Sequence, residues 1–489
     1  MTNPAVTRAL LLCVLALAGS SACDRHRSGS PTEPAGEARN AVVISLCSVR
    51  ADHMSLYGYR RETTPALAAF AREAWVFDHA VTQWPKTVPA FSTLLTGRYG
   101  HTTGVMRVTP RQRLDDRERT LGEVLAERGF ATAAFVSSGV MHGGTNLWQQ
   151  GFQRVDETFR VDHPFEETTR RAVEWIAEQG DGPFLAWVHY NNAHAPYRAP
   201  GADPDVFVGD AHYDPAPRVR INSAPQFPVA IAHDHPNFAQ IMRPDIGGVE
   251  ARAQLPERPT ELAYYIARYD AGILGADQTL APLLEALREL GRLDDTVVAV
   301  VADHGEALGE HDYYFQHGRF PYDDNLRVPL VIRVPGGEQR RVSEPVATFR
   351  LAPTLLDLLG VGASPEMEAT SLLPRLRGEE PFQPVFSESG YQFEYQLSVR
   401  DERHKLISVP NAFDRALMSG GPYELYDLTA DPGELRDLSE SQPDLVRALT
   451  SRLDAWASPW VARAYGRMSK VQDVDDEALR QLRALGYVD

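Results

Sequence analysis

Val297-Val-Ala-Val-Val-Ala302 runs straight into Asp303-His304-Gly305-Glu306. The first six residues are small or β-branched and wholly apolar, the composition of a parallel strand buried on both faces. The next four are polar, and in open α/β sheets ligands gather at such carboxyl ends of strands. A carboxylate beside an imidazole suits a divalent cation, and His311 and His317 follow within one loop. The same Asp-His dipeptide can also close a hydrogen-bonded turn. Working outward, strand-like runs at 41–46, 132–137, 184–190 and 329–334 alternate with helical patterns at 64–74, 89–96, 119–128, 166–178 and 262–290. That alternation predicts an α/β fold with a mostly parallel sheet flanked by helices. Leu280, Leu283, Leu284, Leu287 and Leu290 recur at helical spacing and read as core. The alternation in 397–400 and 405–408 predicts a smaller antiparallel C-terminal sheet, followed by a helix near 443–457.

A second informative segment is Pro85-Lys-Thr-Val-Pro-Ala-Phe-Ser-Thr-Leu-Leu-Thr-Gly-Arg98. Pro89 suits a first helical turn, so Thr87 falls at the helix entrance, where free backbone N–H groups favour an anion. A hydroxyl there is either a cap or a nucleophile aimed at a sulfate or phosphate ester.

These segments, with others in fixed order, resemble the sulfatase family of the alkaline phosphatase superfamily. The motifs are Ile44-Ser-Leu-Cys-Ser-Val-Arg-Ala-Asp-His53, Leu56-Tyr-Gly-Tyr59, Thr64-Pro-Ala-Leu67, Leu94-Leu-Thr-Gly-Arg98, Ala302-Asp-His-Gly-Glu-Ala-Leu-Gly-Glu-His311, His317-Gly318 and Leu326-Arg-Val-Pro-Leu330. The likeness continues through Pro353-Thr-Leu-Leu-Asp357, Glu424-Leu-Tyr-Asp-Leu428 and Leu485-Gly-Tyr-Val488, and is weaker at about 200–258. The resemblance implies an alkaline-phosphatase-like fold, hydrolysis of a sulfuric or phosphoric ester, and a divalent metal ion: zinc, manganese or calcium. Thr87 matches the position that sulfatases fill with a Cys or Ser converted to formylglycine. Phosphoglycerol transferases and nucleotide pyrophosphatases keep an unmodified Thr there. The modification signature Cys-x-Pro-x-Arg is absent, because Thr87 and Phe91 occupy its Cys and Arg positions. Asp303 and His304 match metal ligands, His194 a histidine facing the anion or leaving group, and His317 a further active-site histidine.

Four positions depart from the family pattern. Cys47 stands where the first metal-binding Asp is usual, Asn192 where an acidic residue is common, Thr103 where a His is frequent, and Val108 where an Asn often contacts substrate. Cys47 reads either as a small buried residue or as a thiolate ligand completing a set with Thr87, Asp303 and His304, which would favour zinc over calcium or magnesium. Arg50 reads as a charge near the metal or as a structural ion pair, while Asp52 and His53 read as turn and cap residues. Three functions follow as expectations: a hydrolase using Thr87, a catalytically silent binding or scaffold protein, or a transferase of phosphoglycerol or phosphoethanolamine type.

The N-terminus addresses location. Arg8 precedes the apolar run Ala9–Ala18, too short to span a bilayer but suited to an export signal over residues 1–23. Small residues before Cys23 resemble a bacterial lipoprotein signal, with Ser20 where Leu is usual. A lipidated Cys23 and a tether over 24–40 would bring membrane contact in the periplasm or on the cell surface; ordinary signal cleavage is the alternative. Of three cysteines, Cys13 leaves with the signal and Cys23 is cut away or lipidated, so Cys47 stays as the free thiol. The expected organisation is a catalytic domain over 41–380, with an irregular insertion at 200–258, and a C-terminal subdomain and tail over 381–489. That insertion, with His212, His233 and His235, reads as a surface excursion or as a lid. A formal net charge of -17 argues against nucleic acid and leaves a small-molecule, glycan or lipid ester as substrate.

Overall fold

The computed structural model describes residues 38–106, 113–137, 145–157, 165–195, 197–210, 262–391, 394–409 and 421–467. The export signal, the tether up to residue 37, Val108, the insertion from 211 onward with its three histidines, and Leu485–Val488 lie outside the described residues. No helix among the described residues is long and apolar enough to cross a membrane.

The central sheet is built from β1 (Asn40–Leu46), β2 (Trp75–Phe77), β3 (Ala131–Val136), β4 (Arg154–Asp156), β5 (Phe184–Tyr190), β6 (Thr296–Ala302), β7 (Leu330–Arg333) and β8 (Arg340–Val342). Their order is β8-β2-β7-β6-β1-β5-β3-β4. From β6 through β4 every pair is parallel, with Leu46 of β1 opposite both Ala302 and Tyr190. β7 runs antiparallel to β6 and β2. The chain returns to it from β6 through a loop with only one-turn helices, without the long helical crossover that a parallel return needs.

Both faces of the sheet are covered, so β1 and β6 are buried at every residue. Val42, Ile44, Val298 and Val300 face α1 (Pro65–Phe70), α3 (Phe165–Glu178) and α4 (Leu262–Glu289). Ala41, Val43, Val297, Ala299 and Val301 face the other way, toward α2 (Thr87–Thr96) and α5 (Leu351–Leu358). Every residue of α2 is buried. It begins two residues before the pattern around Pro89 suggested, so Thr87 is its first residue and Lys86 holds the cap position without a side-chain capping bond.

The expected C-terminal sheet comprises β9 (Val385–Tyr391), β10 (Glu394–Arg400), β11 (His404–Ser408) and β12 (Tyr423–Asp427), antiparallel in sequence order. α6 (Pro443–Arg467) lays Leu449 and Leu453 on its Val399, Leu406 and Leu425. An ionic knot joins this sheet to the segment before β7. Lys405 Nζ lies 2.8 Å from both Asp323 Oδ1 and Glu434 Oε1, and Arg400 Nη1 lies 2.6 Å from Asp323 Oδ2. Burial works against the Lys405 charge, but its two carboxylates outweigh that and raise its pKa. The brace reaches the Asp303-His304 turn, because Gly305 N donates to Asn325 O at 2.8 Å. A Cβ on Gly305 would fall 2.0 Å from Asp324 O, so only glycine fits against that backbone.

Removing the cation from a buried cluster strands its anions. Lys405→Met is expected to cost roughly 3 to 5 kcal/mol of stability, with much of it recovered by adding Glu434→Gln. Denaturant midpoints of the wild type and the two variants measure this; an unshifted midpoint for Lys405→Met would rule the knot out as a brace.

Candidate active site

The in-register parallel pairing of β1 and β6 sets the residues that follow them, Cys47 and Asp303, side by side. Ser48, turned into left-handed backbone at φ 58, then points its N–H at Asp303 Oδ1, 3.0 Å away. His304 N donates to the same oxygen at 2.8 Å. Oδ1 is thus spent on backbone, and Oδ2 turns to the cleft, where Cys47 Sγ donates to it at 3.5 Å. Burial first, then the Asp303 charge, hold Cys47 as a thiol by raising its pKa well above the ordinary value.

His304 has a fixed tautomer. Its Nδ1 lies 2.7 Å from the carbonyl oxygen of Gly305, which can only accept, so Nδ1 carries the proton and Nε2 is left with a lone pair. That lone pair faces Thr87 Oγ1 at 3.1 Å, so the threonine hydroxyl donates to it. Thr87 also interacts with the Cys47 thiol, and it makes no capping bond to α2.

Cys47, Asp303 and His304 offer ligand atoms that all lie within 4.8 Å of one another, and Thr87 adjoins them. A thiol, a carboxylate, a neutral imidazole and a hydroxyl form a donor set that fits a borderline cation such as zinc better than calcium or magnesium. Backbone N–H groups orient the carboxylate and a carbonyl orients the imidazole, which is the outer support a metal ligand needs.

These four residues, all buried, form a floor. Above it, His194, His317 and Lys86 are partly accessible and form the mouth. His317 stacks on His304 with ring centroids 4.1 Å apart and meets His194 edge-on at 5.7 Å. His194 Nδ1 donates to Ala195 O at 2.6 Å, and His317 Nδ1 lies 3.1 Å from Glu306 Oε1. Burial lowers the pKa values of His194, His304 and His317, which keeps the imidazoles neutral. Glu306 is pushed up to about 8 by burial, against the pull of Lys86 and Arg50. Crowding draws Lys86 down to about 8, with Glu306 opposing.

Other residues singled out in the sequence lie elsewhere. Arg50 is an ion-pair residue, 2.8 Å from Asp52 and 2.7 Å from Glu310. His53 pairs with Asp270 at 2.7 Å. His311 stacks on Tyr322. Asn192 spends its Nδ2 on Pro200 O and Thr279 Oγ1, pinning the His194 loop to α4, and Thr103 bonds to Gly100 O and Ser92. Phe91, in the position of the signature arginine, packs among the rings of Trp148, Trp187 and His189.

Three residues escaped the sequence reading. Lys86 stands ahead of its helix with no motif to mark it, and Glu306 closes the Asp-His-Gly-Glu run with no pattern that assigns it a role. His189 is hidden inside β5; Trp187 Nε1 donates to Ser45 Oγ at 2.8 Å, and the same oxygen lies 3.0 Å from His189 Nδ1. Period-two alternation around Trp187 was the available signal, since it puts His189 on the α2 side of the sheet.

Comparison with known proteins agrees with this architecture. A family model described as Sulfatase matches residues 39–361, and one described as N-sulphoglucosamine sulphohydrolase, C-terminal, matches residues 309–458. The chain is 25% identical to a Delta 4,5-hexuronate-2-O-sulfatase of Bacteroides thetaiotaomicron over 438 residues, 83% of this chain and 85% of the relative. It is 31% identical to a choline-sulfatase of Rhizobium meliloti over 225 residues, 45% of this chain and 40% of the relative. Among solved structures, a protein in complex with its substrate D-glucosamine-2-N,6-O-disulfate superposes with a TM-score of 0.68 at 19% identity, covering 88% of this chain and 99% of the other. The phosphonate monoester hydrolase of Agrobacterium radiobacter gives 0.60 at 22% identity, covering 87% and 96%. The two structures speak for the fold alone: a mostly parallel α/β sheet with a small antiparallel sheet after it. The sulfatase model spans well over half of the sequence, and the chain belongs to the sulfatase family.

Proposed function

We propose that this protein is an exported hydrolase that cleaves a sulfuric or phosphoric ester with the unmodified Thr87 as nucleophile. The observation that carries the reading is the Thr87 hydroxyl 3.1 Å from the lone-pair nitrogen of His304, over a floor shared with Cys47 and Asp303. The sulfated substrates named for the relatives favour a sulfate ester of a sugar or small molecule.

A divalent cation held by Cys47, Thr87, Asp303 and His304 would supply Lewis-acid charge that lowers the pKa of the Thr87 hydroxyl. Thr87 Oγ1 attacks the sulfur or phosphorus and becomes esterified as the alcohol leaves; water then releases the acid. The proton that Thr87 gives up passes to a neutral imidazole at the mouth, His194 or His317, and from there to the departing oxygen; His194 would take it on Nε2, because its Nδ1 proton is held by Ala195 O. The first 23 residues direct export, and a lipidated Cys23 would tether the enzyme to a membrane.

A rival reading, a silent binding protein on the same fold, draws on one observation: burial holds Cys47 as a thiol bonded to Asp303 rather than as a ligand.

Thr87→Ala is expected to lower turnover of aryl sulfate, aryl phosphate and phosphodiester probes by on the order of 10³-fold or more; activity that survives it rejects Thr87 as nucleophile. Metal retention tests the floor separately. The purified protein should retain zinc, and its cobalt form should show a thiolate-to-cobalt absorption band that Cys47→Ser removes. Cys47→Asp should shift retention toward calcium and magnesium. A protein that retains no cation and hydrolyses none of the probes belongs to the rival reading.

A further inference from the structure

We propose that Lys86 is the residue that recognises the charge of the ester group, pairing its ammonium with the non-bridging oxygens of the bound tetrahedral anion and favouring the more highly charged anion. The inference rests on the ester-hydrolase reading and deepens it.

The backbone delivers Lys86 to the mouth. It precedes Thr87 directly and is extended, with φ -153 and ψ 138, so its side chain leaves α2 without capping it. The stem then lies across Gly318, the neighbour of His317. Gly318 has φ 101, and a Cβ there would come within 2.5 Å of Lys86 Cδ and 3.5 Å of Nζ. Any side chain at 318 would therefore push the lysine out of its track. At the end of that track the ammonium acts on Glu306, His304, His194 and His317, residues from the two connections that follow β5 and β6.

Charge assigns the role. Arg50, the other cation acting on Glu306, is engaged by Asp52 and Glu310. Lys86 directly precedes Thr87 and is partly open to solvent. A desolvated ammonium gains most from a ligand that brings its own negative charge. Sulfate monoesters carry one negative charge at neutral pH and phosphate monoesters up to two, so the lysine contributes more to holding phosphate. It also acts on binding, whereas Thr87 acts on bond breaking.

Calorimetric titration of the mature chain with inorganic phosphate and inorganic sulfate tests this without turnover. Lys86→Met should weaken phosphate binding by about tenfold or more and sulfate binding by less, and Lys86→Arg should restore phosphate binding to within a few-fold. Lys86→Gln must reproduce the loss, which guards against a packing defect peculiar to methionine. Phosphate binding unchanged in Lys86→Met and Lys86→Gln overturns the proposal, as does failure of the wild type to bind either anion. Turnover surviving Thr87→Ala would reject the nucleophile while leaving this binding result standing, so the two failures are distinguishable. In steady-state assays the lysine variants should raise KM for aryl phosphate more than they lower kcat.

Discussion

The seam between Asn40–Leu46 and Thr296–Ala302 is the constraint from which the rest follows. Two strands more than 250 residues apart in sequence lie parallel with Leu46 opposite Ala302, so their next residues, Cys47 and Asp303, must meet. Backbone then fixes what the strands deliver. Ser48 and His304 N–H groups hold one carboxylate oxygen, and the Gly305 carbonyl dictates which His304 nitrogen bears the proton. Thr87 arrives from the opposite side on a helix with no exposed residue. Each polar atom of the floor has little freedom, which is the preorganisation that chemistry on a charged ester requires.

Cysteine at position 47 sets the charge of that floor. An aspartate there would place a second carboxylate beside Asp303, and two like charges so close need a cation to hold them together. A thiol stays neutral in the same place and hydrogen-bonds to Asp303 Oδ2, so the pocket is self-consistent when only protein atoms are present. Coordination would exchange the thiol proton for a metal bond. The substitution thus couples metal identity to proton release more tightly than an all-oxygen site would.

Much of this was legible in the sequence because it is local. Apolar runs marked β1, β3, β5 and β6, and the polar ends of β1 and β6 marked the candidate site. The direction of Leu330–Arg333 was not legible, since a four-residue apolar run carries no sign of which way it pairs. The start of the Thr87 helix lies two residues before Pro89, because proline is tolerated throughout a first turn and does not mark its opening. Lys86 looked like an ordinary polar flank; its importance comes from Gly318, more than 200 residues away, which clears its track. His189 was concealed because a histidine in an otherwise apolar strand shows its face only once its neighbours are known. Arg50 was ambiguous until Asp52 and Glu310 were seen to engage it.

The ionic knot at Lys405 also has a bearing on biosynthesis. The segment that seats Gly305 is held by Arg400 and Lys405, which pair with Asp323, and by Glu434, which accepts from its backbone, so the Asp-His turn lacks its backing until nearly the whole polypeptide has left the ribosome. Its first strand must likewise wait for a partner that is translated some 250 positions later. Such late, long-range closure makes for slow maturation. It also means that nascent chains stay inert through most of their synthesis, acquiring a working pocket only as the final third folds against what came before.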